Sequence, residues 1–148
     1  LQEHPEAFAS SYTDECASPL ATVMERVQAT NDSFTLGAWH KETLIGTVGL
    51  HRSPRLKVRH RGGVSGMYVA PERRGQGIGR ALINEIVGRA PTLQGLEELV
   101  LAVTVGNDAA RWIYLTAGFE PAFTEKRYIK IGTDYYDIEW MTLRLGTV

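Results

Sequence analysis

Between residues 71 and 83 the chain reads PERRGQGIGRALI, with glycines at 75, 77 and 79 standing directly before an apolar stripe of helical spacing. Glycine forfeits more backbone freedom on folding than any other residue. Three in five positions therefore mark a place where the main chain must turn left-handed or be approached closely. The segment before the loop, GGVSGMYVA (62–70), reads as a strand, and Pro71 ends it because proline donates nothing to a ladder. After the loop, Ile78, Leu82, Ile83, Ile86 and Val87 recur at three and four, until Gly88 to Pro91 stop the helix. A strand, a glycine loop and a helix in succession point to a layered α/β fold. They also present free N–H groups at a helix N-terminus, where anions bind. Arg73, Arg74 and Arg80 add positive charge, so the loop reads as a phosphate cradle.

Two kinds of phosphate loop are excluded by residue type. A nucleotide-triphosphate loop places Lys and then Ser or Thr after its last glycine, whereas Gly79 is followed by Arg80 and Ala81. A dinucleotide fingerprint runs G-x-G-x-x-G directly from its strand. Here the spacing is G-x-G-x-G, PERR intervenes, and LEELVLAVTV (96–105) ends in Thr104 and Val105 instead of a ribose-binding acid. For the loop by itself, a tight turn with no ligand is the remaining alternative.

The rest of the chain supplies the layers. Leu20, Val23, Met24 and Val27 share one helix face, with Pro19 suited to its first turn and Ser18 to its cap. FTLGAWH (34–40) and TLIGTVGLHR (43–52) read as an antiparallel hairpin joined at Lys41–Glu42. LEELVLAVTV is apolar throughout, as expected of a strand covered on both faces. NDAARWIYLTAGF (107–119) reads as a helix capped by Asn107 or Asp108, with Gly118 just past its end. EKRYIKIGTDYYDIEWMTLRL gives two strands around a turn at Gly132–Thr133. The outline is β-β-β-α-β-α-β-β behind a helical start.

Composition bounds the partners. At 148 residues with 43% hydrophobic content, residues 1–148 are expected to form a single domain with its own core. A net charge of −1 gives no support to a nucleic-acid or membrane partner, and no apolar run approaches the ~18 residues of a membrane span. HRSPRLKVRHR (51–61) carries five Arg or Lys and no acid. It reads as a solvated face, or else as a surface attracting phosphates or an acidic substrate. Cys16 is the sole cysteine, which excludes an internal disulfide and points to a reducing, cytoplasmic setting. The four histidines lack metal-ligand spacing, so no metal is expected.

The order R-x-x-G-x-G (Arg74, Gly77, Gly79) after VSGMYV resembles the acyl-coenzyme A loop of the GNAT acetyltransferase superfamily. The stretch N107-D-A-A-R-W-I-Y114-L-T-A-G-F119 is similar to that family's second motif, and one helix and one strand separate the two, as in the family. The resemblance covers about residues 34 to 145, and HPEAFASSY (4–12) is similar to a segment of many members. It implies a mixed, mostly antiparallel twisted sheet with helices on both faces, in which a splayed parallel strand pair holds the cofactor. Relatives normally open with a further strand, and none is visible here. Either the sequence starts inside a longer protein or this edge of the sheet is missing.

What the resemblance implies for function is an acetyl-CoA-dependent N-acetyltransferase acting on an amine acceptor. A non-catalytic acyl-CoA-binding module is the alternative, and a homodimer is left open. Met67, Tyr68 and Val69 would offer backbone groups to the pantetheine arm. The amides of Arg74, Gly75, Gln76, Gly77, Ile78, Gly79 and Arg80 would hold the pyrophosphate. Asn107 would reach the pantetheine, Ala110 would leave room for it, and Tyr114 would be the general acid. A free thiol titrates near ~8.5 and a tyrosine near ~10, so that tyrosine stays protonated at neutral pH. Where relatives carry a glutamate base this chain has Ser65 and Gly66, which leaves a water relayed by Asp137, Glu139 or His51 as the expected proton acceptor.

Overall fold

The computed structural model describes residues 1–146, and every strand of the outline is present in it. In chain order these residues form α1 (Tyr12–Ala17), α2 (Leu20–Val27), β1 (Ser33–His40), β2 (Thr43–Arg52), β3 (Arg61–Val69), α3 (Ile78–Arg89), β4 (Glu98–Thr104), α4 (Asp108–Thr116), β5 (Glu120–Ile131) and β6 (Asp134–Arg144). One sheet runs β1-β2-β3-β4-β6-β5, antiparallel everywhere except between β3 and β4. Helix α3 crosses from the end of β3 back to the start of β4, the connection a parallel pair requires.

The apolar stripe of α3 does what its spacing predicts. Ile83 and Ile86 are fully buried against Val48, Leu50, Leu99 and Met141 of the sheet. Each such side chain contributes roughly 1.5–3 kcal/mol by leaving water. Helix α4 lies on the same face, tied to α3 where Ile113 approaches Gly79. Along β4, Leu99, Leu101 and Val103 point into this core, so Ala102 and Thr104 point to the opposite face.

Two expectations are corrected, the cap of α2 and the solvation of the basic run. The α2 stripe exists but faces water, with Leu20 73% and Met24 62% exposed. Ser18 is the end of α1, its hydroxyl donating to the Asp14 carbonyl, and Pro19 takes the cap position of α2. The basic run is only partly solvated. The Arg52 side chain is buried and donates to the carbonyls of Arg59 and Gln94 and to Asp32. Arg59 binds both Asp32 oxygens at 2.8 Å, and Arg61 pairs with Glu98 at 2.7 Å. These arginines bind the start of β3 to its surroundings, because their partners come from segments far away in sequence.

Candidate active site

The parallel pair is short. Rungs join Arg61 to Glu98, Gly62 to Leu99 and Gly63 to Val100, and no pairing continues beyond them. From Val64 to Val69 on one side and Leu101 to Thr104 on the other, the strands run on unpaired with each other. The cause lies in β3. Between Ser65 and Tyr68 it advances three residues while β2 advances two, from Gly49 to Thr47. This bulge centres on Gly66, whose φ of 66° only glycine adopts easily, and Thr47 fixes it by donating to the Gly66 carbonyl at 2.9 Å. A bulge bends and twists its strand, which turns Met67, Tyr68 and Val69 away from β4. The result is a gap edged by backbone groups.

The glycine loop lies at the mouth of this gap. Gly75 and Gly77 have φ of 76° and 80°, and a Cβ at either would meet nothing within 4 Å. Gly77 takes the cap position of α3, and the first helical bond of that end runs from the Ala81 amide to its carbonyl. The amides of Gly75, Gln76, Gly77, Ile78, Gly79 and Arg80 therefore have no backbone partner among the described residues. Arg74 departs from expectation. Its amide is taken by the Pro71 carbonyl at 3.2 Å, and its Nε donates to the Val69 carbonyl at 3.1 Å. The cradle thus begins at Gly75. Gly79 is also different from its neighbours, being buried where Ile113 and Val69 pack against it.

Helix α4 follows the unpaired end of β4 and meets the start of α3, where Ile113 approaches Gly79. Asn107 caps the helix, its Oδ1 accepting from the Ala110 amide at 3.2 Å, which leaves the side-chain NH2 to donate elsewhere. Ala110 is half-buried beside it. Tyr114 is buried, its ring edge-on to Phe119 at 6.2 Å. Among the described residues no protein group bonds to its hydroxyl. Burial pushes the Tyr114 hydroxyl up to about 12, because an ionised phenolate would lose its water.

Of the three proton-acceptor candidates, two are occupied. Lys126 and the Arg127 amide each bond to Asp137 at 2.8 Å and hold its carboxyl below the usual range. This carboxylate buckles a bulge in β5 where Arg127 has a φ of 57°. Glu139 faces α4 and is bound by Arg111 at 2.7 Å. His51 is different. Its ring lies against Gly63, on the last rung before the strands part, with Nδ1 3.5 Å from the Ser65 hydroxyl. It lines a cleft of about 450 Å³ together with Arg61 and Val100. A second concavity, about 530 Å³ between His60, Leu93 and Leu145, holds none of the candidate residues.

One contributor escapes sequence reasoning. The turn Pro5–Ala7 crosses the face opposite α3, where the Glu6 carbonyl accepts from the Thr104 hydroxyl at 2.6 Å and His4 approaches Arg74 at 3.5 Å. It thereby spans the ends of both parted strands. The contact joins residues 98 apart, and the only signal for it is the likeness of HPEAFASSY to a family segment.

Comparison with known proteins agrees with this architecture. The model of the Acetyltransferase (GNAT) family matches residues 2–119. No match is found among curated proteins. Among similar solved structures, a GNAT-family acetyltransferase from Streptococcus pneumoniae is 23% identical, covering 84% of this chain and 74% of its own, with a TM-score of 0.78. The protein yncA from Salmonella typhimurium, solved with its cofactor acetyl-CoA, is 19% identical over 99% of this chain and 86% of its own, with a TM-score of 0.80. A ribosomal-protein-alanine N-acetyltransferase from Brucella melitensis is 28% identical, covering 75% of this chain and 68% of its own, with a TM-score of 0.68.

Proposed function

Because this chain belongs to the GNAT acetyltransferase family, we propose that it moves an acetyl group from acetyl-CoA to a primary amine, with residues 1–148 acting as one domain. The observation that carries this reading is the parting of β3 and β4 after three rungs, beside a cradle of free amides. A pantetheine arm in that gap would bond to the strand edges as an added strand does. Its pyrophosphate would lie on the amides of residues 75–80 at the α3 N-terminus. The Asn107 NH2 group is free to bond the arm, and Ala110 gives it space.

The amine nitrogen attacks the thioester carbon, the C–N bond forms, the C–S bond breaks, and the nitrogen loses a proton as the sulfur gains one. His51 takes the nitrogen's proton through water, being the candidate not already bound by a cation. Tyr114 supplies the proton that the sulfur gains. If a phenol at about 12 faced a thiolate whose conjugate acid stayed near ~8.5, transfer would run uphill by roughly 5 kcal/mol. The sulfur enters the same dry site, however, and its proton affinity rises for the same reason. Tyr114 therefore donates a hydrogen bond that strengthens into proton transfer as charge reaches the sulfur. Cys16 is exposed on α1 with Tyr12 as its neighbour and nothing to activate it, which favours direct attack over an acyl-enzyme. A free exposed thiol also suits a reducing cytoplasm.

An amine acceptor is the class carried over from the Brucella relative, named for alanine of a ribosomal protein. The test has two arms. Acetyl-CoA should raise the melting temperature well beyond the effect of NAD or ATP at equal concentration, and a panel of amines should then release free thiol from it. Equal shifts from all three ligands remove the donor assignment. Tight donor binding with no thiol release across the panel leaves a binding module.

A further inference from the structure

On the face opposite α3 and α4, one strand over from the gap, lies a cluster that the reaction above leaves unused. Trp140 on β6 pairs with Ala102 on β4 and Phe123 on β5, so the three side chains share that face. The Trp140 ring stacks on Phe123 at 6.1 Å and meets Tyr128 edge-on at 6.3 Å. Its Nε1–H donates to one oxygen of Glu125 at 3.0 Å. The other Glu125 oxygen has no partner, and no cation pairs with this carboxylate, among the described residues. Phe123 is 59% exposed and Tyr128 46%.

Three clustered aromatic rings, the central one bonded to a carboxylate, suit a positive charge. The cations nearest in sequence do not fill it. Arg127 and Lys130 lie over Tyr135, at 3.6 and 5.4 Å, and Lys126 is bonded to Asp137. On β4, the strand between Trp140 and the gap, the residue level with Trp140 is Ala102, a small side chain. With strands about 4.8 Å apart, the cluster lies roughly 5–10 Å from the gap. An extended chain of four to eight bonds covers that distance at roughly 1.2 Å per bond.

On the acetyltransferase reading above, we propose that this cluster holds a second cationic group of the acceptor, making the substrate class a diamine or related dication. One nitrogen, uncharged, attacks the thioester as described, and the other remains an ammonium among Trp140, Phe123, Tyr128 and Glu125. The Pro5–Ala7 turn, close by on this face, bounds the site on the Thr104 side.

The probes are 1,5-diaminopentane, pentylamine and 5-aminopentanoate, compared by thiol release from acetyl-CoA. The diamine should exceed pentylamine at least tenfold in kcat/KM, with the amino acid lowest. Glu125→Gln and Trp140→Phe should each shrink the diamine preference, the loss falling on KM. A second readout needs no turnover. In a Trp39→Phe, Trp112→Phe background Trp140 is the sole indole, and its emission should change saturably with 1,5-diaminopentane but not once Glu125 is Gln. Equal kcat/KM for diamine and pentylamine overturns the proposal while leaving the acetyltransferase reading intact. If no amine releases thiol, that reading fails instead, and the emission titration decides the cation site alone: saturation dependent on Glu125 supports it, and a flat response overturns it.

Discussion

Where β3 and β4 begin, Arg61, Gly62 and Gly63 are laddered to Glu98, Leu99 and Val100, and Asp32 binds Arg52 and Arg59 alongside them. A few residues further on, the same strands expose unpaired backbone, a bulge and a loop of free amides. One end satisfies its polar groups internally, and the other leaves them without a backbone partner among the described residues. The contrast teaches that the gap is made by a local device, the Gly66 bulge, while the laddered end keeps the parted strands in register. Function and stability should therefore separate along one pair of strands.

The largest effect expected is at the open end. Tyr114→Phe keeps the ring and removes the hydroxyl, so kcat should fall by the ~10²–10⁴-fold typical of a lost general acid, while donor affinity barely moves. The same variant sharpens the physical basis. A tyrosine raised from ~10 in the unfolded chain to about 12 when folded contributes stability that is complete below pH 10 and declines as pH rises through 12. That contribution is roughly 2–3 kcal/mol at 1.36 kcal/mol per unit. Urea midpoints at pH 9 and pH 11 should therefore fall further for the wild type than for Tyr114→Phe. Unchanged turnover in the variant would make Tyr114 a packing residue.

Gly77→Val comes next. A branched residue at a φ of 80° is strained by roughly 1–2 kcal/mol or more. Because Gly77 is exposed and its Cβ would meet no neighbour, the strain should be relieved by moving the loop amides. Calorimetry should show acetyl-CoA affinity reduced at least tenfold with circular dichroism unchanged. Retained affinity would mean that the cradle is not where the pyrophosphate lies.

Asp32→Ala acts at the laddered end and should do the reverse. It removes the carboxylate that Arg52 and Arg59 share, leaving the buried guanidinium with carbonyls alone. Unfolding should become easier by ~1–3 kcal/mol, with acetyl-CoA affinity and kcat near wild type. A loss of activity out of proportion to the loss of stability would break the separation of the two ends.

Legibility in the sequence followed the range of the interactions. The boundaries of β2, α3 and α4 were readable because apolar period, Pro71, Asn107 and Gly118 act within a few residues. Gly75 and Gly77 were readable for the same reason, since a glycine loop before a helix is a local pattern. Arg52 was not, because its partners Asp32 and Gln94 lie 20 and 42 residues away. Neither were the buckle of Asp137 and the bond of Glu139 to Arg111, which tie both acids to cations. The α2 stripe was correctly placed on one face, yet periodicity says nothing about what that face meets.

Amide hydrogen exchange with and without acetyl-CoA tests the central claim most directly, since it reads both ends of the strand pair in one experiment. The account predicts new protection at residues 64–69 and 75–80 when acetyl-CoA is added, and no change at 61–63 and 98–100, which are already laddered. Protection confined to another surface, or binding without any protection at the loop and the open strand edges, would contradict it.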